Sequence, residues 1–97
     1  MTDRRVPASL PERLIEHWQA MADQVSPDTP PAALEAMAQQ LWLMRDAEER
    51  VAEEGAVVVD GKGNPTEHPG IKIQREAGKE LRAWLAKYER KSWETEK

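Results

Sequence analysis

The sequence contains no cysteine, which excludes disulfide bonds, cysteine-ligated zinc and a thiol nucleophile. No apolar run approaches the roughly 18–20 residues that a membrane-spanning helix needs. The N-terminus carries Arg4 and Arg5 but no apolar segment behind them, so no signal peptide is expected. These absences favour a protein of a reducing cytoplasm that does not enter a membrane.

A catalytic pattern is also missing. The stretch "GKGNP" at 61–65 lacks the spacing and the Gly-Lys-Ser/Thr ending of a phosphate-binding loop. The two histidines, His17 and His68, are far apart in the chain, and no nucleophile is paired with a base. The sequence therefore predicts a non-enzymatic protein without a metal ion or cofactor, in which His68 has a structural or exposed position in a turn.

Charge is abundant but not one-sided. Charged residues make up 33% of the 97 residues and hydrophobic residues 39%, which permits one small domain with a thin core. The net charge is −4, with 6 basic against 13 acidic residues over 1–70 and 8 against 5 over 71–97. Any contact with nucleic acid would therefore need a local basic face.

A first helix is predicted over about 10–24. Ser9 and Glu12 have the spacing of a capping box, and apolar residues follow at helical intervals. The prolines of "SPDTPP" then end the helix and restart the chain. Asp28 or Thr29 is expected to cap the next helix.

The second helix is predicted over about 31–54, ending at Gly55, a residue suited to a left-handed cap. One face of this helix is defined by a 3–4 spacing of Leu34, Met37, Leu41, Met44, Glu48 and Val51, and Ala38 and Trp42 widen its stripe. Its last turns carry an acidic group of Asp46, Glu48, Glu49, Glu53 and Glu54. Such a group is expected to be a solvated face or an intersubunit salt-bridge surface, with partners from Arg45, Arg50 or a neighbouring chain.

Residues 56–68 change to strand and turn chemistry. Val57, Val58 and Val59 favour a short strand, and Asp60-Gly61 and Lys62-Gly63 are turn dipeptides that supply positive φ. Residues 64–67 return as an edge strand, which Pro65 weakens. The glycines and proline assigned to this turn region are Gly55, Gly61, Gly63 and Pro69. Because exposed valine strands pair with other chains unless they are covered, the hairpin is expected to lie at an interface.

The third helix is predicted over about 70–92, and it completes a mainly α fold of three helices. Helices 2 and 3 form a long antiparallel pair joined by the short β-hairpin, within a single domain over 9–92. Residues 1–8 and 93–97 are expected to be a flexible tail and a frayed end. The apolar face of helix 3 consists of Ile73, Ala77, Leu81, Trp84, Leu85 and Tyr88.

Cations occupy the opposite side of helix 3 within an arc of about 80° at 100° per residue. Such a stripe can follow phosphates, although a solvated face balanced by Glu76, Glu80 and Glu89 is the alternative. The candidate DNA-binding residues are Lys72, Arg75, Lys79, Arg82 and Arg90, with Arg4 and Arg5. The candidate oligomer interface comprises Val57, Val58, Val59, Leu41, Met44, Trp42, Trp84 and Tyr88.

The order of these features resembles the small subunit of double-stranded DNA phage terminases. The resemblance covers about 33–90, in the form of a helix that ends on glycine, a valine hairpin, a His-Pro step and a helix rich in Ala and Leu. The matching positions are Gly55, Val57, Val58, Gly63, His68, Pro69, Ile73, Ala77, Leu81 and Leu85.

The resemblance implies a homo-oligomeric ring, in the cytoplasm of a bacterial host, that binds double-stranded phage DNA. It also implies a partner, the terminase large subunit, whose ATPase and nuclease this chain would regulate without catalysis or a cofactor of its own. The alternative is a helical protein-interaction or regulatory module of phage or prophage origin that does not bind DNA. The net charge of −4 favours that alternative, and the ordered motif series favours the packaging component.

Overall fold

The structure is a computed structural model that describes residues 5–88, which form three helices and one hairpin. The helices are α1 (Glu12–Ala22), α2 (Pro31–Glu54) and α3 (Pro69–Tyr88), and the strands are β1 (Val57–Val59) and β2 (Pro65–Glu67). The strands pair antiparallel, and α2 packs closely on α3. This confirms the predicted mainly α fold, with an antiparallel pair of long helices joined by a short hairpin.

The start of α1 differs from the prediction. The helix begins after Pro11, whose φ of −56° and ψ of 139° lie outside the helical region, and no side chain caps it. The Leu10 N–H instead donates to the Pro7 carbonyl at 3.1 Å, which forms a turn ahead of the helix. The predicted capping box of Ser9 and Glu12 is therefore wrong, because this turn displaces Ser9 from the cap position.

The start of α2 also lacks the predicted side-chain cap. Pro30 occupies the cap position, and Pro31 is the first helical residue. The Thr29 hydroxyl donates to the Ser26 carbonyl at 2.7 Å, within the turn that precedes the helix. Thr29 and Asp28 therefore do not cap α2, because the paired prolines already hold the chain in the conformation that enters the helix.

The core lies where α1 packs across α2 and α2 packs on α3. Val25, Leu34 and Met37 are completely enclosed. The linker before α2 is tied to the far end of α3, since the Ser26 N–H donates to the Tyr88 carbonyl at 2.8 Å. The remaining core residues are Leu10, Leu14, Trp18, Met21, Ala22, Ala33, Ala38, Leu41 and Leu81.

Two residues assigned to the helical stripes are exposed. Glu48 is exposed and its neighbour Ala47 is buried, while Ile73 on α3 is 45% exposed. Gly70 and Gly78 are buried on α3 instead. Glycines let two helices approach closely, but they do not contribute to a hydrophobic pattern. The pattern therefore placed the contact between α3 and α2 at Ile73.

Candidate nucleic-acid and subunit interfaces

Four of the predicted DNA-binding cations lie exposed along one side of α3. We define this basic face by its members, Lys72, Arg75, Lys79 and Arg82. At 1.5 Å per residue they extend over about 15 Å of helix. Arg5 is also exposed, whereas Arg4 and Arg90 lie outside the described residues. The basic face is therefore a continuous strip of side chains that an extended anion can reach.

The four cations differ in how far the chain itself engages them. Arg75 Nη2 lies 3.7 Å from a carboxylate oxygen of Glu67 on β2, and both side chains are more than half exposed. Arg82 extends back over Gly78, where its Nη1 would be 3.3 Å from an added Cβ. Within residues 5–88, neither Lys72 nor Lys79 forms an ion pair. The two lysines are therefore the cations most open to an external phosphate.

The alternative prediction for this face was a solvated surface whose positive charge is balanced by the acidic residues of α3. Glu76 and Glu80 are exposed, and neither forms an ion pair among the described residues. They line a groove on α3 together with Ile73, Leu43 and Lys79. The acidic and apolar side chains of α3 therefore lie directly beside the basic face, and the two surfaces meet at Lys79.

The hairpin presents its valines to solvent. Val57 is 64% exposed and Val59 is 70% exposed, whereas Val58 on the other face of the strand is half-buried. The register places Val57 opposite Glu67, Val58 opposite Thr66 and Val59 opposite Pro65. These valines, which were predicted to lie at an oligomer interface, are accessible to another chain.

The turn of the hairpin is held by a side chain. The Asp60 carboxylate accepts hydrogen bonds from the backbone N–H groups of Lys62, at 2.8 Å, and Asn64, at 2.9 Å. Gly63 has a φ of +84°, as the bulge position of a three-residue hairpin loop requires. Gly61 does not have positive φ, so the prediction that both turn glycines supply it is wrong for Gly61. One left-handed residue is enough for this loop.

The base of the hairpin is fastened to both long helices through His68. The ring is 6% exposed, and its Nδ1 accepts a hydrogen bond from the Gly70 N–H at 2.8 Å. Since that N–H can only donate, Nδ1 carries the lone pair, and Nε2–H donates to Glu54 at 2.8 Å. The His68 N–H also donates to the Ala56 carbonyl at 2.9 Å. His68 therefore sets the angle at which the hairpin leaves α2 and α3.

The sequence placed His68 only in a structural or exposed turn and missed this role. The available signal was Pro69, since proline is common at the first helical position and the residue before it is the helix cap. Histidine is not among the usual capping residues. It caps α3 because the Gly70 N–H lies within reach of its ring. An added Cβ at Gly70 would lie 3.0 Å from both the His68 ring and Val51, so the approach requires glycine.

The interface candidates on the helices are less accessible than the hairpin. Leu41 is 6% exposed within the chain's own core. The other four, Met44, Trp42, Trp84 and Tyr88, are half-buried and pack against that core. The guanidinium of Arg13 lies 4.9 Å from the Trp42 ring centre, which ties α1 to α2. Their outward surfaces remain candidates for contact with a neighbour, although each of these side chains is less exposed than Val57 and Val59.

The acidic end of α2 is largely solvated. Arg50 Nε donates to Asp46 at 2.9 Å, an exposed pair one helical turn apart. This hydrogen bond and the Asp46 charge raise the pKa of Arg50 above its ordinary value, with smaller contributions from Glu54 and Glu53. Exposed pairs of this kind contribute little to stability. An intersubunit role for the acidic group remains a prediction.

Within residues 5–88, no three histidine, aspartate or glutamate side chains are grouped closely enough to hold a metal ion. No helix in that range is both long and apolar enough to cross a membrane.

The chain matches a known protein family. A family model described as "Phage terminase, small subunit" matches residues 14–89, which include most of α1 and all of α2, the hairpin and α3. No curated protein and no solved structure matches the chain.

Proposed function

The chain belongs to the phage terminase small-subunit family, and we propose that it serves phage DNA packaging as an oligomeric component. In this role it binds double-stranded phage DNA and regulates the terminase large subunit. The observation that carries the proposal is the family match across 14–89, which includes the hairpin and both long helices. The setting is the cytoplasm of the bacterial host during virion assembly.

The basic face of α3 supports the DNA-binding part of the proposal. Lys72 and Lys79 have no ion-pair partner within residues 5–88, so a phosphate does not have to displace an internal carboxylate there. Each phosphate neutralised releases counterions, which gives binding a strong salt dependence and little sequence preference. The basic face thus supplies affinity for the DNA backbone, and base recognition is not part of the proposal.

The exposed hairpin supports the assembly part. Val57 and Val59 are more than three-fifths exposed, an unfavourable state for strand valines in an isolated subunit. Coverage by a neighbouring subunit removes that liability, and the His68 fastening holds the hairpin ready for the contact. The proposed oligomer brings several basic faces together around DNA.

The division of labour follows from what the chain carries. The sequence has no phosphate-binding loop and no nucleophile paired with a base. The ATPase and nuclease activities therefore belong, in this proposal, to the large subunit. The small subunit acts on them by holding DNA and by contacting the large subunit.

DNA retention at graded salt tests the DNA-binding part. We expect wild type to retain a linear duplex with an affinity that falls as salt rises. A plot of log affinity against log salt concentration has a negative slope. The double variant Lys72→Gln/Lys79→Gln should make that slope less steep by about 1–2 for each subunit that contacts the duplex. Arg45→Gln, which removes an exposed cation from α2, is the matched control. Equal losses in the double variant and the control would count against the basic face.

A second candidate function is a protein-interaction module that never contacts DNA. The net charge of −4 and the acidic end of α2 favour it, since both repel a polyanion over long range. One experiment distinguishes the two functions. A chain that assembles but retains no duplex at low salt would favour the interaction module.

A further inference from the structure

The two outer edges of the hairpin are not equivalent. At one end the His68 N–H donates to Ala56, and at the other the Asp60 N–H donates to the Asn64 carbonyl at 2.9 Å. Hydrogen-bonded and non-hydrogen-bonded pairs alternate along an antiparallel ladder. The pairs Val57–Glu67 and Val59–Pro65 are therefore non-hydrogen-bonded. The backbone N–H and C=O groups of Val57 and Val59 consequently point away from β2.

Those outward groups form a complete pairing edge on β1. The register directs the Val57 and Val59 N–H groups away from β2, and within residues 5–88 neither donates to a side chain or to backbone outside the hairpin ladder. The outer edge of β2 is different, because Pro65 occupies one of its outward positions and has no N–H to offer. A strand can therefore add fully to β1, whereas the edge of β2 is blocked.

We propose that β1 pairs antiparallel with β1 of a second copy of this chain, centred on Val58. The inference rests on the proposed self-assembly and gives one of its contacts a geometry. In this register the N–H and C=O groups of Val57 pair with those of the partner's Val59. The same groups of Val59 pair with those of the partner's Val57, which gives four backbone hydrogen bonds in all. The result is a four-stranded sheet in the order β2, β1, partner β1, partner β2.

Side-chain chemistry agrees with this register. Val57 and Val59 lie on the same face of β1, and each is largely exposed in the single chain. Across the new ladder Val57 lies beside the partner's Val59, so all four valines share one face. Cross-strand pairs of β-branched residues stabilise a sheet by about 0.2–1 kcal/mol each relative to alanine.

The charges at the two ends of the hairpin select the antiparallel direction. Lys62 lies in the turn and Glu53 and Glu54 lie at the base. The only other charge in the turn, Asp60, is engaged by two backbone N–H groups. Antiparallel pairing places the turn of one hairpin near the acidic base of the other. Parallel pairing would place lysine near lysine and glutamate near glutamate.

The contact is two-fold symmetric and small. Three-residue strands bury far less than the roughly 1,200 Å² of a stable interface, so this contact operates within a larger assembly. A two-fold contact cannot close a ring by itself, so a ring would need a second surface. Assemblies that use both contacts contain an even number of copies.

Single-cysteine variants test the register, because the chain has no cysteine of its own. Val58 would face the partner's Val58 in a non-hydrogen-bonded pair, with Cα atoms about 4.5 Å apart. That distance suits a disulfide, whereas two Val57 positions would be diagonal neighbours at about 7–8 Å. Oxidised glutathione takes up the two electrons and two protons from the thiols. We expect on the order of tenfold more covalent dimer from Val58→Cys than from Val57→Cys.

The comparison is informative because exposure predicts the opposite result. Val57 is the more accessible side chain, so random collisions would cross-link Val57→Cys faster. Equal or greater cross-linking at Val57, or none at Val58 with the far-ultraviolet circular dichroism of wild type, would overturn the proposal.

A backbone variant provides the second measurement. Val59→Pro removes one outward N–H without touching a hydrogen bond to β2, since Val59 lies opposite Pro65 in a non-hydrogen-bonded pair. The control Val59→Thr keeps that N–H. In the Val58→Cys background we expect proline, but not threonine, to lower cross-linking several-fold, and equal yields would refute edge pairing. The assay contains no DNA, so a failure here leaves duplex retention, the test of the proposed function, to be judged separately.

Discussion

Replacing His68 by alanine tests how the hairpin is fastened to the helix pair. His68 accepts the Gly70 N–H and donates to Glu54, so alanine removes both hydrogen bonds. Asparagine is the matched control, because its Oδ1 takes the position of Nδ1 and it is among the best helix caps. His68→Asn therefore keeps the bond to Gly70 and loses mainly the one to Glu54.

The burial of each hydrogen-bond partner determines how much free energy of unfolding the His68→Ala variant loses. Gly70 is buried, so leaving its N–H without an acceptor costs about 1–3 kcal/mol. Glu54 is 55% exposed, so its hydrogen bond contributes less, about 0.5 kcal/mol after solvent screening. Removal of the buried ring adds about 1 kcal/mol of lost packing. We expect His68→Ala to destabilise the chain by about 2.5–4.5 kcal/mol and His68→Asn by about 1 kcal/mol.

Urea unfolding followed by far-ultraviolet circular dichroism measures the difference. Protein concentration is held equal in all samples, because self-association raises apparent stability by mass action. A loss of about 2.5–4.5 kcal/mol corresponds to roughly 12–22 °C in melting temperature for a domain of this size. Identical midpoints for the alanine and asparagine variants would show that the Gly70 cap carries no stability. An alanine variant as stable as wild type would refute the whole reasoning.

Three further outcomes are expected. Gly70→Ala should destabilise by about 1–2 kcal/mol in urea unfolding, because its Cβ would lie 3.0 Å from two neighbours, whereas Gly61→Ala, with open space around it, should be nearly neutral. Leu34→Ala should cost about 3 kcal/mol in the same assay, since Leu34 is completely buried. Val58→Asp should reduce the assembled mass in native mass spectrometry while keeping the helical signal, and an unchanged oligomer would contradict an interface at the hairpin.

The sequence predicted the elements best where chain-breaking residues mark their ends. The predicted bounds of α2, 31–54, agree with the structure because Pro30 and Pro31 start it and Gly55, with a φ of +92°, ends it. These residues act through their own backbone preferences, so neighbours elsewhere in the fold do not change the outcome. The two strands of the hairpin likewise lie within the predicted 56–68.

The features that were missed depend on contacts between distant residues. The cap on α3 depends on a histidine ring that also reaches Glu54, 14 residues earlier in the chain. The buried face of α3 is displaced from Ile73 because Gly70 and Gly78 let α2 approach. The basic face was predictable as a set of positions, since it needs only helical periodicity. The sequence could not predict which of these cations remain unpaired, because Arg75 lies close to a carboxylate of β2.

Side-chain contacts link the hairpin to the basic face of α3. This link matters for how an acidic chain could bind DNA. Arg75 on the basic face lies 3.7 Å from Glu67 of β2, and His68 fastens the same strand to the start of α3. A neighbour that docks on the hairpin therefore also fixes the direction of a basic face. In an oligomer each further face binds at an effective concentration set by the assembly, and modest contacts combine into high avidity. In the proposed function, assembly would offset the net charge of −4 by placing the local basic faces, and not the whole surface, against the duplex.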